Sequence, residues 1–215
     1  VNTSADIGKS IRDSFHFVSR VGAECDHLAK LIREEFSRLL LTAEIEKRYR
    51  VAGKWIDKSI NDAHGWVCLE MGSSLPLIIR PKQKIGGYLF VQISLAGHGT
   101  DAKDPQGPLL HVGWWHEPID FDEYHMGFPL VASPCLTLEE QRLFKWTYSA
   151  SETEWCYSLR LTDINSPADV QTHIIRPMKA LLLGKAPADA LSGTAAVRYE
   201  SVNDNTGYYR ILAES

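Results

Sequence analysis

Several features that would assign this chain to a class at a glance are missing. No apolar run approaches the roughly 18–20 residues that a membrane-spanning helix needs; the longest aliphatic runs are "LPLII" and "ALLLG". The first residues, "VNTSADIGKS", lack the basic-then-apolar profile of a signal peptide. Cysteine is scarce: Cys25, Cys68, Cys135 and Cys156 are the four among 215 residues, and none forms a C-x-x-C pair. That argues against a disulfide scaffold and fits reduced, buried thiols in a cytoplasmic protein. Lysine and arginine number 23 against 27 acidic residues, a net charge of −4, so the basic excess of a nucleic-acid binder is absent. P-loop, G-x-S-x-G and H-E-x-x-H motifs are absent too, and no cofactor is implied.

The composition that remains, 44% hydrophobic and 23% charged, is that of an ordinary globular protein long enough to bury a core of useful size. Neither an internal repeat, a low-complexity tract nor a linker-like stretch divides it. A single α+β domain over residues 1–215 is expected, with residues 1–48 helical and residues 49–215 holding sheet, helix and hairpin.

The helical expectation rests on periodicity. Ile11, Phe15, Val18, Gly22, Cys25, Ala29, Ile32, Phe36, Leu39 and Ala43 recur at alternating spacings of four and three, and no proline falls within residues 6–50. Forty helical residues would reach about 60 Å, against a radius of gyration of about 15 Å for a compact remainder. The helix therefore either breaks, with Gly22 the natural place, or carries part of its seam to a second copy of the chain. Extra apolar residues at Val21, Leu28, Leu31, Leu40 and Leu41 widen the stripe beyond a two-stranded seam, as in a helix buried on more than one side.

From Tyr49 the period changes to two. Strands are expected at "YRVAGKWID", "GWVCLEM", "PLIIR", "GYLFVQISLA", "PLLHVGWW", "RLFKWTYS" and "EWCYSLRL", with turns at "NDAHG", "GSS", "KIGG" and "SASET". Connections this short predict an antiparallel sheet of about six to eight strands. In "SPCLTLEEQ", Thr137 and Glu140 have capping-box spacing and predict a helical turn. A second helix is expected near residues 167–183, with Ser166 as N-cap, Pro167 at N1, Gly184 as the stop and a kink at Pro177. The tail "AAVRYESVNDNTGYYRILAE" predicts a β-hairpin with residues 203–207 as its loop.

The chemistry-bearing residues concentrate in one place. Four of the eight histidines, His98, His111, His116 and His125, fall between residues 98 and 125. The stretch "HVGWWHEPIDFDEYH" adds Trp114, Trp115, Glu117, Asp120, Asp122 and Glu123. Strand alternation puts His111 and Trp115 on one face and Trp114 on the other. Pro118 then ends regular pairing, which leaves His116, Asp120, Asp122 and His125 in an acidic, aromatic loop. Trp114, Trp115, His116, Asp120, Asp122 and His125 form the candidate binding surface. A transition-metal site would draw on His116, Asp120 or Asp122, and His125, but no zinc spacing is present. The Asp120-x-Asp122 start fails as a calcium loop, because the next ligand position is Tyr124 and the required glycine is His125. The stretch Gly97-x-Gly99-x-x-Ala102 fits the letters of a dinucleotide fingerprint, yet "KDPQGP" follows where a helix must start. A nuclease would need Glu70 near an acid-x-Lys pair, and Asp101-x-Lys103 lies in a loop.

Three functional readings follow. The first is a non-enzymatic interaction module that forms a homodimer through its N-terminal helix and takes a protein or small-molecule partner. The second is a metal-dependent hydrolase or nuclease using His and carboxylates of residues 98–125. The third is a small-ligand sensor with an aromatic pocket beside Trp114 or Trp115.

Overall fold

A computed structural model describes residues 4–103, 107–131, 133–149, 152–202 and 207–213, with side chains from residue 6. The "KDPQGP" turn, the tip of "SASET" and the tip of the C-terminal hairpin lie, wholly or in part, outside the described residues. The expected α+β architecture is present. Helix α1 (Ser4–Leu40) leads through the single turn α2 (Ala43–Glu46) into an antiparallel sheet. The sheet has eight strands: β1 (Tyr49–Val51), β2 (Ile56–Asn61), β3 (Cys68–Ile79), β4 (Ile85–Ser94), β5 (Leu109–Trp115), β6 (Leu136–Glu139), β7 (Leu143–Ser149) and β8 (Glu152–Arg160). Their order is β1-β3-β4-β5-β8-β7-β6, with β2 on the same edge of β3 as β1. The short helices α3 (Pro167–Asp169), α4 (Arg176–Leu182) and α5 (Pro187–Ala190) follow, then the hairpin β9 (Tyr199–Ser201) and β10 (Tyr209–Ile211). No helix among the described residues is long and apolar enough to cross a membrane.

Helix α1 runs unbroken for 37 residues, about 55 Å at 1.5 Å per residue. It does not break at Gly22. One glycine inside a helix costs about 1 kcal/mol relative to alanine, too little to end a helix with good formers on both sides. The second half of the helix is the part that packs into the core. Cys25, Ile32, Phe36, Leu39 and Leu40 are buried, whereas residues 6–20 are all exposed.

Two strands differ from the sequence expectation. "GSS" is not a turn but the middle of β3. Gly72 leaves room there for the Ile119 side chain, the Ser73 hydroxyl donates to Asp57, and the Ser74 hydroxyl accepts from the Ile119 backbone N–H. β3 is continuous through Pro76, but the edge strand facing it breaks between Val51 and Ile56. The Pro76 carbonyl accepts from Ala52, so its missing N–H falls on that same side, where the ladder lapses. "KIGG" likewise contributes Ile85, Gly86 and Gly87 to β4. Thr137 and Glu140 cap no helix: Thr137 is in β6, and Glu140 with Gln141 forms the β6–β7 turn at φ 52° and 57°. Two left-handed residues make a type I′ hairpin, which sequence reading misses because neither is glycine or asparagine.

The sheet separates two apolar layers. On one face Leu75, Leu89, Val91, Leu110, Val112 and Tyr157 meet α1 and the helical segment 167–182. On the other, Phe90, Leu109, Trp115, Phe144 and Cys156 meet the loop 116–131 and the C-terminal hairpin. Trp114 and Trp115 point to opposite faces, as alternation requires, and both are buried, one in each layer. The four cysteines are free thiols.

The helical segment solves its proline problem by widening. Ser166 accepts from the Asp169 N–H as N-cap, and Pro167 follows. Residues Val170–Ile175 then form a π-helix ahead of Pro177, which lacks an N–H to return to the preceding turn. The Tyr157 hydroxyl, buried on β8, donates to the carbonyls of His173 and Ile174, each at 3.2 Å. Removing that donor in Tyr157→Phe strands these carbonyls in the core. The expected loss is about 1–3 kcal/mol of unfolding free energy, read as a lower urea midpoint with an unchanged slope.

Candidate functional site

The site is built on the sheet face away from α1. Strand alternation there places Glu70 on β3, Gln92 and Ser94 on β4, His111 on β5 and Ser158 on β8, all buried, and the register aligns Gln92, His111 and Ser158 across neighbouring strands. A polar row in an apolar layer is costly unless every group finds a partner, and here the partners come from the loops above. The Gln92 amide donates to Glu70 Oε2 at 2.6 Å and to the Met126 carbonyl at 2.8 Å, and its oxygen accepts from the Met126 N–H at 2.8 Å. Ser94 donates to Glu70 Oε2 at 2.9 Å, and the Gly99 N–H donates to Glu70 Oε1 at 3.1 Å. The His111 ring bridges the Gly99 carbonyl at 2.9 Å and the Ser158 hydroxyl at 2.8 Å. A carbonyl only accepts, so Nε2 carries the proton and Nδ1 accepts from Ser158. Burial pulls the His111 pKa down to about 4, opposed by its bond to Gly99 and aided by His125. The ring is neutral at neutral pH.

Gly99 stands at the crossing of these bonds. A Cβ there would lie 1.9 Å from Ser94 Oγ. The Gly97-x-Gly99 segment is therefore a close packing turn, a single 3₁₀ turn over His98–Thr100, with no helix to receive a pyrophosphate. The Ser158–His111 pair has the atoms of an activated nucleophile, but it is fully buried and bonded on both sides.

The loop 116–131 is held down along its length. Ile119 bonds Ser74, Met126 bonds Gln92, the Phe128 N–H donates to the His98 carbonyl, and the Leu130 N–H donates to the Gly207 carbonyl. Between the loop and β7–β8 a cleft of about 380 Å³ opens. Trp115, Tyr124, Trp146 and Tyr148 wall it, Met126, Phe128 and Leu130 extend it, and Glu154 closes its base. Glu154 is 3% exposed. Its Oε1 accepts from the His116 backbone N–H at 2.9 Å and from the Tyr124 hydroxyl, with His116 Nδ1 at 3.2 Å. Its Oε2 accepts from the Tyr148 hydroxyl at 3.1 Å. Desolvation, with the bond to Glu154 and its charge, holds the Tyr124 hydroxyl far above the usual phenol range, and desolvation with the same charge pushes Tyr148 up to about 12. Both remain protonated donors.

The candidate residues divide between destinations. Trp115 stacks on Phe90 at 3.7 Å and meets the Tyr124 ring edge-on at 5.3 Å, so it belongs to the cleft. His116 turns to Glu154, and His125 lines the cleft beside Phe121 and His98. Trp114 faces the other layer, against Tyr49. Asp120 pairs with Lys58 at 3.2 Å and accepts from the Asp122 N–H, which with Lys58 keeps its carboxyl low. Asp122 is exposed. Among the described residues, no group of three or more His, Cys, Asp and Glu could hold a metal ion. Glu70 is committed to the polar row, whereas Asp101 is exposed beside His98.

Sequence reasoning missed Glu154 and left Trp146 and Tyr148, two of the sheet's aromatics, off the candidate surface. The signal was present in "ETEWCYSLR": Glu154 shares the period-two face of Cys156 and Ser158, a carboxylate where alternation demands an inward residue. Comparison with known protein families, curated proteins and solved structures finds no match to this chain.

His111 makes stability depend on pH in a defined direction. Its folded pKa lies below the unfolded value, so the unfolded chain takes up the extra proton and stability falls with pH from about 6.5 to about 4. The full contribution is about 3 kcal/mol, present above that window and gone below it. In urea titrations across the window, His111→Gln is expected to lose this part of the pH slope while the wild type keeps it.

Proposed function

We propose that this chain is a non-enzymatic interaction module that self-associates through the first half of α1, its partner being a second copy. The observation that carries the reading is an apolar face that outruns its own domain. Ile7, Ile11, Phe15 and Val18 share the face that Cys25, Ile32 and Phe36 bury in the core, yet Ile11 is 54% and Phe15 58% exposed. The Phe15 ring meets the edge of Trp66 at 6.1 Å, and Trp66 is itself 73% exposed. Soluble monomers rarely leave so continuous a stripe in water.

A second copy suits the stripe in shape and charge. In an antiparallel pair centred between Phe15 and Val18, Ile11 of one copy enters the hole at Gly22 of the other. Nothing lies within 4 Å of the position a Gly22 Cβ would take. The same pairing carries Lys9 and Arg12 towards Glu24 and Asp26 of the second copy. The helices would cover on the order of a few hundred Å² per copy, less than a standard stable interface, so association should follow concentration. Sedimentation equilibrium is expected to show a monomer–dimer equilibrium, and Ile11→Asp to leave monomer at every concentration with an unchanged thermal midpoint. A wild type that stays monomeric up to its solubility limit, or a variant that still dimerises, overturns the reading.

A further inference from the structure

We propose that the cleft over Glu154 binds a small primary ammonium compound with an apolar or aromatic body. The inference is independent of self-association, because the cleft lies on the opposite sheet face from α1. Three observations carry it.

The first is a buried carboxyl group with no lysine or arginine partner among the described residues. Glu154 is 3% exposed, and among the described residues the one basic side chain within salt-bridge reach is the imidazole of His116, at 3.2 Å. Among the described residues no lysine or arginine lines the cleft; His98 and His125 do, and Glu123 joins Glu154 in the lining. A buried carboxylate without a fixed cation draws a positive ligand, and low-dielectric walls strengthen the attraction.

The second is the distribution of donors. Oε1 takes the His116 N–H and the Tyr124 hydroxyl, with the His116 ring alongside, whereas among the described residues Oε2 takes only the hydroxyl of Tyr148, a residue half in solvent. Oε2 thus keeps acceptor capacity on the cleft side, and the complement is an N–H donor. A primary ammonium supplies one; a quaternary ammonium does not.

The third is the wall. Trp115, Tyr124, Trp146 and Tyr148 line the same cleft as the carboxylate, a setting in which ring quadrupoles add to the attraction for a cation. Beyond them Phe128 and Leu130 offer an apolar surface for the body of the ligand. A cleft of about 380 Å³ holds a small molecule and not a folded partner.

Titration calorimetry on the full chain tests this with three isosteres: phenethylamine, phenethyl alcohol and hydrocinnamate. The amine is expected to bind at least about tenfold more tightly than the alcohol, a difference of about 1.4 kcal/mol, and hydrocinnamate not at all. Glu154→Gln should bring the amine to the level of the alcohol. Trp146→Leu keeps the carboxylate but opens the wall, and should weaken amine and alcohol together. It also serves if Glu154→Gln does not fold. Equal affinity for amine and alcohol, preference for hydrocinnamate, full amine binding by Glu154→Gln, or no amine binding at millimolar concentration each overturns the proposal.

Discussion

The side-chain amide of Gln92 ties the two halves of this molecule's chemistry together. On its sheet side it is fixed by Glu70 and Ser94; on its outer side it offers Met126 the donor and acceptor that a neighbouring strand would offer. That pseudo-strand contact settles where the loop 116–131 lies. The loop in turn brings Tyr124 to Glu154 and His125 to the cleft. Without the polar row, the loop would lie over an apolar sheet that specifies no register. Buried hydrogen bonds contribute modestly to net stability, but an unmet buried partner costs about 1–3 kcal/mol. The row therefore selects one loop position by penalising every other.

The opposite face works by different physics. There the contacts are aliphatic and aromatic, without direction, and each fully buried large side chain contributes about 1.5–3 kcal/mol. Such a face tolerates a straight helix far longer than the sheet is wide, because no directional bond tells it where to stop. The second half of α1 is anchored by this burial, and the first half projects along the same line. One face thus ends in a loop-built cleft and the other in a projecting apolar helix.

Much of the fold was legible in the residues because their periods were clean. The spacing from Ile11 to Leu39 identified α1, and Ser166-Pro167 with Gly184 bounded the second helical segment. What the pattern could not reveal was where α1 leaves the domain, since Ile11 and Phe15 repeat as regularly as Ile32 and Phe36. Local letters misled at Gly72-Ser73-Ser74, where small residues make room for Ile119 and bond across to Asp57 and the loop. They misled again at Thr137 and Glu140, where capping-box spacing falls in a hairpin. The site was half legible: Trp115 and His125 line the cleft and His116 bonds Glu154 within it, whereas Trp114, Asp120 and Asp122 lie elsewhere. Glu154 escaped attention because it lies 29 residues beyond His125, the end of the histidine-rich stretch, and becomes a neighbour of that stretch through the β5–β8 pairing.

Amide hydrogen exchange in Gln92→Leu most directly tests whether the polar row holds the loop in place. Leucine keeps the volume of the side chain and removes both bonds to Met126. The Met126 amide, and with it residues 119–130, is predicted to lose protection, while residues 32–40 of α1 keep theirs. Unchanged protection at Met126 would contradict the account, since the loop would then be held there by something other than Gln92.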